Sequence, residues 1–174
     1  MQDVSLYRLM TWLSPPFPVG SYAYSHGLEY ATSTGIVKDF SGLQRWVGDI
    51  VQNGSGRIDA LLFCAAYRAV KRGDAANFTD LSELSATMRT TSELAAESMV
   101  QGQAFLRTIR SAWPSLALRD LATLLKQRAI QPTYPISVSM VCALADIPLH
   151  SGLVAYLQSL AGNLVSAGIR LIPL

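Results

Sequence analysis

Ser41-Gly42-Leu43-Gln44-Arg45-Trp46-Val47-Gly48-Asp49-Ile50-Val51, followed closely by Asn53-Gly54-Ser55-Gly56, decides what kind of fold this chain builds. Leu43, Trp46, Val47, Ile50 and Val51 recur at steps of three and four, the spacing that places side chains on one face of an α-helix. Ser41 and Gln44 stand ahead of that stripe with the spacing of a capping box. The Asn-Gly-Ser-Gly run is turn chemistry that ends it. The stretch therefore predicts an amphipathic helix with a defined start and stop.

The same period extends in both directions, and almost no stretch alternates with the period of two that marks a strand. Upstream, Leu6, Leu9, Met10 and Leu13 form a stripe that Pro15 and Pro16 stop. Residues 17–20 read as a rigid Pro-containing turn, and a helix is expected to open near Ser21 and close at Gly35. Downstream, Leu61, Leu62 and Cys64 sit in an Ala-rich helix over residues 58–72, whose end carries Lys71 and Arg72 before Gly73. Cations there suit the negative end of the helix dipole.

Thr90 and Glu93 have capping-box spacing ahead of Leu94, Met99, Phe105, Leu106 and Ile109, a long helix that runs to Trp113-Pro114. Gly102 lies midway, where a close crossing is expected. Leu118, Leu121, Leu124 and Leu125 make the next stripe, and Pro135 is placed to open a helix with Val138, Val141 and Leu144. The last helix spans about 150–170. With no repeat and no linker composition, the prediction is an all-α, single-domain bundle of about seven or eight helices over residues 1–174.

At 174 residues the chain is long enough for one continuous core. Hydrophobic residues make up 50% and charged residues 15%, so apolar surface in want of a partner is expected. The net charge of +2, with no block of like charge, gives little grip on nucleic acid, and none is expected as a partner. Cys64 and Cys142 each stand alone in apolar helical surroundings and read as small buried hydrophobes, which suits a reducing cytoplasm. Gln2 and Asp3 replace the basic region a signal peptide would need.

Residues 152–169 contain no charge and approach the length of a membrane span. Gln158, Ser159, Asn163 and Ser166 are costly in hydrocarbon, and flanking aromatic and basic anchors are missing, so a soluble central helix is preferred to a span. On that reading Leu160→Asp is expected to be severely destabilising.

Catalytic constellations are scarce. Ala23-Tyr24-Ser25-His26-Gly27 matches an esterase nucleophile elbow except at its first position, which leaves a serine hydrolase using Ser25 as an alternative, provided a strand precedes it. His26 and His150 are the two histidines, neither near a Cys in sequence, so no preformed metal site is expected. The plainer reading makes His26 a hydrogen-bonded helix residue.

Trp12-Leu13-Ser14-Pro15-Pro16-Phe17-Pro18-Val19-Gly20, continued by Ser21-Tyr22-Ala23-Tyr24-Ser25-His26-Gly27-Leu28-Glu29, resembles the N-terminal signature of UreF urease accessory proteins. Thr91-Ser92-Glu93-Leu94 with Glu97 and Gly102, then Tyr134-Pro135, Ala155-Tyr156-Leu157 to Asn163, and Arg170-Leu171-Ile172-Pro173-Leu174 extend the similarity along the chain. The resemblance implies an all-α, non-catalytic, cytoplasmic protein that forms a homodimer and binds UreD (also called UreH). Through that complex it recruits the GTPase UreG and supports GTP-dependent insertion of nickel into apo-urease. Nickel and GTP would belong to partners, leaving this chain without a cofactor, and no membrane is involved. Family members continue past the Pro-Leu at residues 173–174, and that tail contributes to partner binding.

Within the signature, Pro15, Pro18, Gly20 and Gly27 are expected to shape turns and allow close packing. Tyr22, Tyr24, His26 and Glu29, polar-tipped residues near a turn, are the candidates for partner contact, with an internal network the competing role.

Overall fold

A computed structural model describes residues 3–21 and 24–172. Among them are nine helices and no strand: α1 (Asp3–Trp12), α2 (Leu28–Ser33), α3 (Phe40–Gln52), α4 (Ser55–Lys71), α5 (Ala75–Thr87), α6 (Ser92–Ala112), α7 (Leu116–Gln127), α8 (Tyr134–Leu144) and α9 (Leu149–Leu171). Eight of these have ten residues or more and α2 has six, so the all-α bundle expected from the apolar periodicity is what the chain forms.

Short polar side chains set where the helices start. The Asp39 carboxylate accepts from the Gly42 amide at 2.8 Å, Asp74 from Asn77 at 3.1 Å, Thr91 from Leu94 at 3.2 Å and Ser115 from Leu118 at 3.2 Å. Each satisfies an amide that has no partner within its helix. The starts expected at Ser41 and Thr90 are thus corrected to Asp39 and Thr91. Spacing fixes a capping box to within a residue or two, while the true cap is the residue that takes up extended backbone, as Asp39 does at φ −147° and Thr91 at φ −138°.

One further expectation changes, and one helix was not foreseen. The helix expected from Ser21 is cut to α2, because His26 (φ 48°) and Gly27 (φ 78°) are left-handed and interrupt any helix before Leu28. Helix α5 lacks a legible apolar stripe, since it buries Thr79, Ser82 and Ser85. Their hydroxyls donate to the carbonyls of Ala76, Phe78 and Ser82, which lets polar side chains occupy a core face.

The centre is α8. Ten of its eleven residues are buried, and it packs against α4, α6 and α9, with smaller contacts to α5 and α7. Gly102 of α6 permits this: a Cβ there would strike the carbonyl of Pro132 and lie 2.8 Å from the Thr133 carbonyl carbon. The close approach expected at Gly102 is therefore to the chain entering α8. Helix α9, expected to be central, lies instead at one side, with only 28% of its most apolar window buried. It is the one helix among the described residues long and apolar enough to cross a membrane.

Aromatic rings tie the layers together. Phe17, Phe105, Tyr134, Tyr156 and Phe63 form a continuous chain of ring contacts with centroid separations of 5.5–5.8 Å. In the proline turn Phe17 and Val19 point inward while Pro15, Pro16 and Pro18 are exposed, so the turn is pinned to α6 by one ring. A smaller cluster of Leu28, Ala31, Val37, Leu43, Ala167 and Ile172 fastens α2 and α3 to the end of α9.

Candidate functional site

Asp59 stands on the same face of α4 as Leu62, Phe63 and Ala66, which places a carboxylate where the stripe demands a hydrophobe. A charge in that position needs a partner, and Arg89, from the turn after α5, supplies it with Nη2 at 2.7 Å from Asp59 Oδ1. Tyr156 of α9 donates its hydroxyl to Asp59 Oδ2 at 2.7 Å. Arg89 also donates to Ser98 Oγ at 3.1 Å, and the same oxygen accepts from the Tyr134 amide at 3.2 Å, so the network reaches the first residue of α8. Four helices, α4, α6, α8 and α9, are joined through one ion pair.

The pair is close without being aligned as a hydrogen bond. Asp59 Oδ1 and Arg89 Nε both lack a hydrogen-bond partner among the described residues, although both side chains are more than nine-tenths buried. Burial pushes the Asp59 carboxyl above its ordinary value, while Arg89 and Tyr156 pull it back down. The guanidinium cannot shed its charge, so the carboxylate opposite it has to remain the counter-ion. Tyr156, buried against that carboxylate, is held well above its ordinary value.

These groups line a cavity of about 260 Å3 between α9, the start of α6 and the loop before α2. Tyr24 and His26 face it from the loop, Glu97 and Gln101 from α6, and Leu160 and Asn163 from α9. Gln101 donates to Glu97 Oε1 at 3.2 Å, and His26 Nε2 lies 3.8 Å from the same oxygen. That separation is one an ion pair can have, but burial moves both groups toward neutrality. Desolvation raises the Glu97 carboxyl to about 7, against the pull of Arg89 and Gln101. Desolvation and the nearby Arg89 charge lower His26 below its usual value. Burial thus favours the neutral form of both groups, and the contact is a polar one rather than a salt bridge.

Of the residues singled out from sequence, Tyr24 and His26 are half-buried and line the cavity. His26 is not a helix residue; its positive φ sets it in a turn with Gly27. Glu29 is exposed on α2 and does not line the cavity, and Tyr22 lies outside the described residues. Gly20 and Gly27 both take φ of 78°, the left-handed conformation that favours glycine. Ser25 stands in the same loop, its carbonyl accepting from the Leu28 amide, with no strand before it among the described residues. Among the described residues the strand-to-helix turn that a nucleophile elbow needs is not formed.

Asp59 and Arg89 were missed, and Glu97 and Tyr156 entered only as matched positions. The available signal was Asp59, a lone acid three and four residues before the buried Leu62 and Phe63. Among the described residues no group of three or more His, Cys, Asp or Glu gathers as a metal site.

An all-helical fold, with no strand among the described residues and with four helices joined by an internal ion pair, is the class of protein this chain forms. The family model for UreF matches residues 37–174. The chain is 42% identical over 173 residues to the urease accessory protein UreF of Rhodopseudomonas palustris strain HaA2, covering 99% of this chain and 72% of that one. It is 39% identical over 172 residues to the urease accessory protein UreF of Granulibacter bethesdensis, again 99% and 72%. Identity to the UreF of a Bradyrhizobium strain, BTAi1, is 41% over 170 residues, covering 98% and 69%. The chain belongs to the UreF family of urease accessory proteins.

Proposed function

We propose that this protein is a non-catalytic scaffold of urease maturation, which dimerises, binds UreD (UreH), recruits UreG and so supports GTP-dependent delivery of nickel to apo-urease in the cytoplasm. The observation that carries this reading is the apolar surface around α9. Val154 and Ile169 of α9 are exposed, as are Val4, Tyr7 and Met10 of α1 and Tyr30, Ile36 and Phe40 around α2 and the start of α3, all elements that pack on α9. Surface of this kind is stable in water when another protein covers it. The polar groups of the cavity hold one another in place, a structural task, so nickel and GTP are assigned to the partners. Tyr24 and His26 at the cavity mouth are candidates for touching one of those partners, with Glu29 beside them on α2.

The test is co-purification with UreD and UreG. Capture of both, reduced by Tyr24→Ala with His26→Ala while helicity and melting temperature hold, supports the scaffold and its contact surface. Failure of the unaltered chain, joined to the C-terminal segment of a full-length relative, to capture either would overturn it. Partition of the isolated chain into detergent micelles would instead assign α9 to a membrane.

A further inference from the structure

Helices α6 and α7 both pack on α8 but make little contact with each other, and an open groove of about 810 Å3 runs between them. Its floor is apolar, formed by Leu106, Leu125 and Ile130, and its walls carry the exposed cations Arg107, Arg110 and Lys126. No carboxylate among the described residues lines it.

The charge asymmetry is local. Residues 103–131 hold five basic residues (Arg107, Arg110, Arg119, Lys126, Arg128) and one acid, Asp120, in a chain with 14 basic and 12 acidic residues. Asp120 lies 3.9 Å from Arg119 and lines a different depression, outside the groove. Arg107, Arg110 and Lys126 have no hydrogen-bond or ion-pair partner among the described residues. The near-neutral net charge of the chain thus conceals a basic face.

We propose that the α6–α7 groove docks an acidic amphipathic helix from a protein partner, with its aliphatic stripe on Leu106, Leu125 and Ile130 and its carboxylates on Arg107, Arg110 and Lys126. An apolar floor rewards a helix laid into it, whereas a nucleic-acid strand would leave that floor wet. Arg107 and Arg110 are three residues apart on one helix face, a spacing that carboxylates one turn apart on the docked helix can match. Cations at the rim steer such a partner and fix its register. This site is separate from the cavity and from the α9 face, and it stands whether or not the maturation role holds.

The probe is a fluorescein-labelled helical peptide with a leucine stripe flanked by glutamates, titrated into the full chain and followed by anisotropy. Saturable binding is expected, weakened about ten-fold or more in the Arg107→Glu, Arg110→Glu, Lys126→Glu triple variant. All three side chains are exposed, so the variant should keep its circular dichroism spectrum and melting temperature. A peptide with serine in place of leucine should bind at least about ten-fold more weakly. Equal binding of the serine peptide, or tighter binding of a single-stranded DNA oligonucleotide, would overturn the proposal by reducing the groove to a general anion patch. Loss of self-association in the triple variant, seen by sedimentation, would also overturn it, because the occupant would then be a second copy of this chain.

Discussion

Helices α8 and α9 are the two most apolar segments of the chain, and they end in opposite surroundings. Helix α8, eleven residues long, is enclosed on every side by α4, α6 and α9, and even its Ser137 and Ser139 are buried. Helix α9, twenty-three residues long and free of charge from 152 to 169, buries Tyr156, Leu164 and Ala167 but leaves Val154, Val165 and Ile169 exposed. A central helix has to be apolar on all faces, but an apolar helix need not be central, because a partner or a second copy can supply the missing cover. Charge content therefore separates α8 from α9 poorly, and burial is what tells them apart.

The sharpest way to break the contrast is to place a carboxylate in each helix. Val138→Asp in α8 puts an unpaired charge at a fully buried position and is expected to cost several kcal/mol, enough to prevent a cooperative melt by circular dichroism. Gly102→Ala attacks the same centre from α6. Its methyl would collide with the Pro132–Thr133 backbone rather than with a flexible side chain, and a loss of about 1–3 kcal/mol in urea unfolding is expected. A melting temperature unchanged in either variant would remove α8 from the centre.

Leu160→Asp belongs to α9 and should behave differently. Leu160 is half-buried on the cavity wall, so the new carboxylate can stay hydrated, and the expected loss is about 1 kcal/mol, well short of the severe destabilisation that a central α9 would imply. A loss as large as that of Val138→Asp would mean the two helices are equally enclosed.

The smallest effect tests the cavity between α9 and the start of α6. Because the folded chain holds the Glu97 proton more tightly than the unfolded chain does, the stabilising contribution is complete below the ordinary value of 4.5 and is lost as pH rises through about 7. His26 acts in the other sense: its lowered value means that the folded state resists protonation, at a cost that appears as pH falls below 6.5. Glu97→Gln removes the first effect and keeps the second. Relative to the variant, the unaltered protein should lose urea stability between about pH 4.5 and about pH 7, and parallel pH profiles would show that Glu97 is hydrated in the fold.

Much of this was legible in the chain because helices announce themselves locally. Apolar steps of three and four, the Asn53-Gly54 stop after Val51, Tyr134-Pro135 at a helix start and Gly102 at a close approach are consequences of backbone geometry within a few residues. Helix α5 escaped because hydroxyls that bond back to their own helix disguise a buried face. Left-handed backbone at His26 was hidden for a different reason, since a non-glycine residue takes that conformation when the surrounding contacts hold it there.

What the sequence by itself determined is therefore the all-helical class, the places where most helices stop, and, through the motif from Trp12 to Glu29, the family. What only the tertiary structure decided is which apolar helix is enclosed, that Asp59 and Arg89 find each other across α4 and the end of α5, and that Glu97, Tyr24 and His26 share one cavity. Those outcomes depend on contacts between residues far apart in the chain, so the energy that selects them, packing for α8 and the pairing of a buried charge for Asp59, does not exist until the helices have assembled.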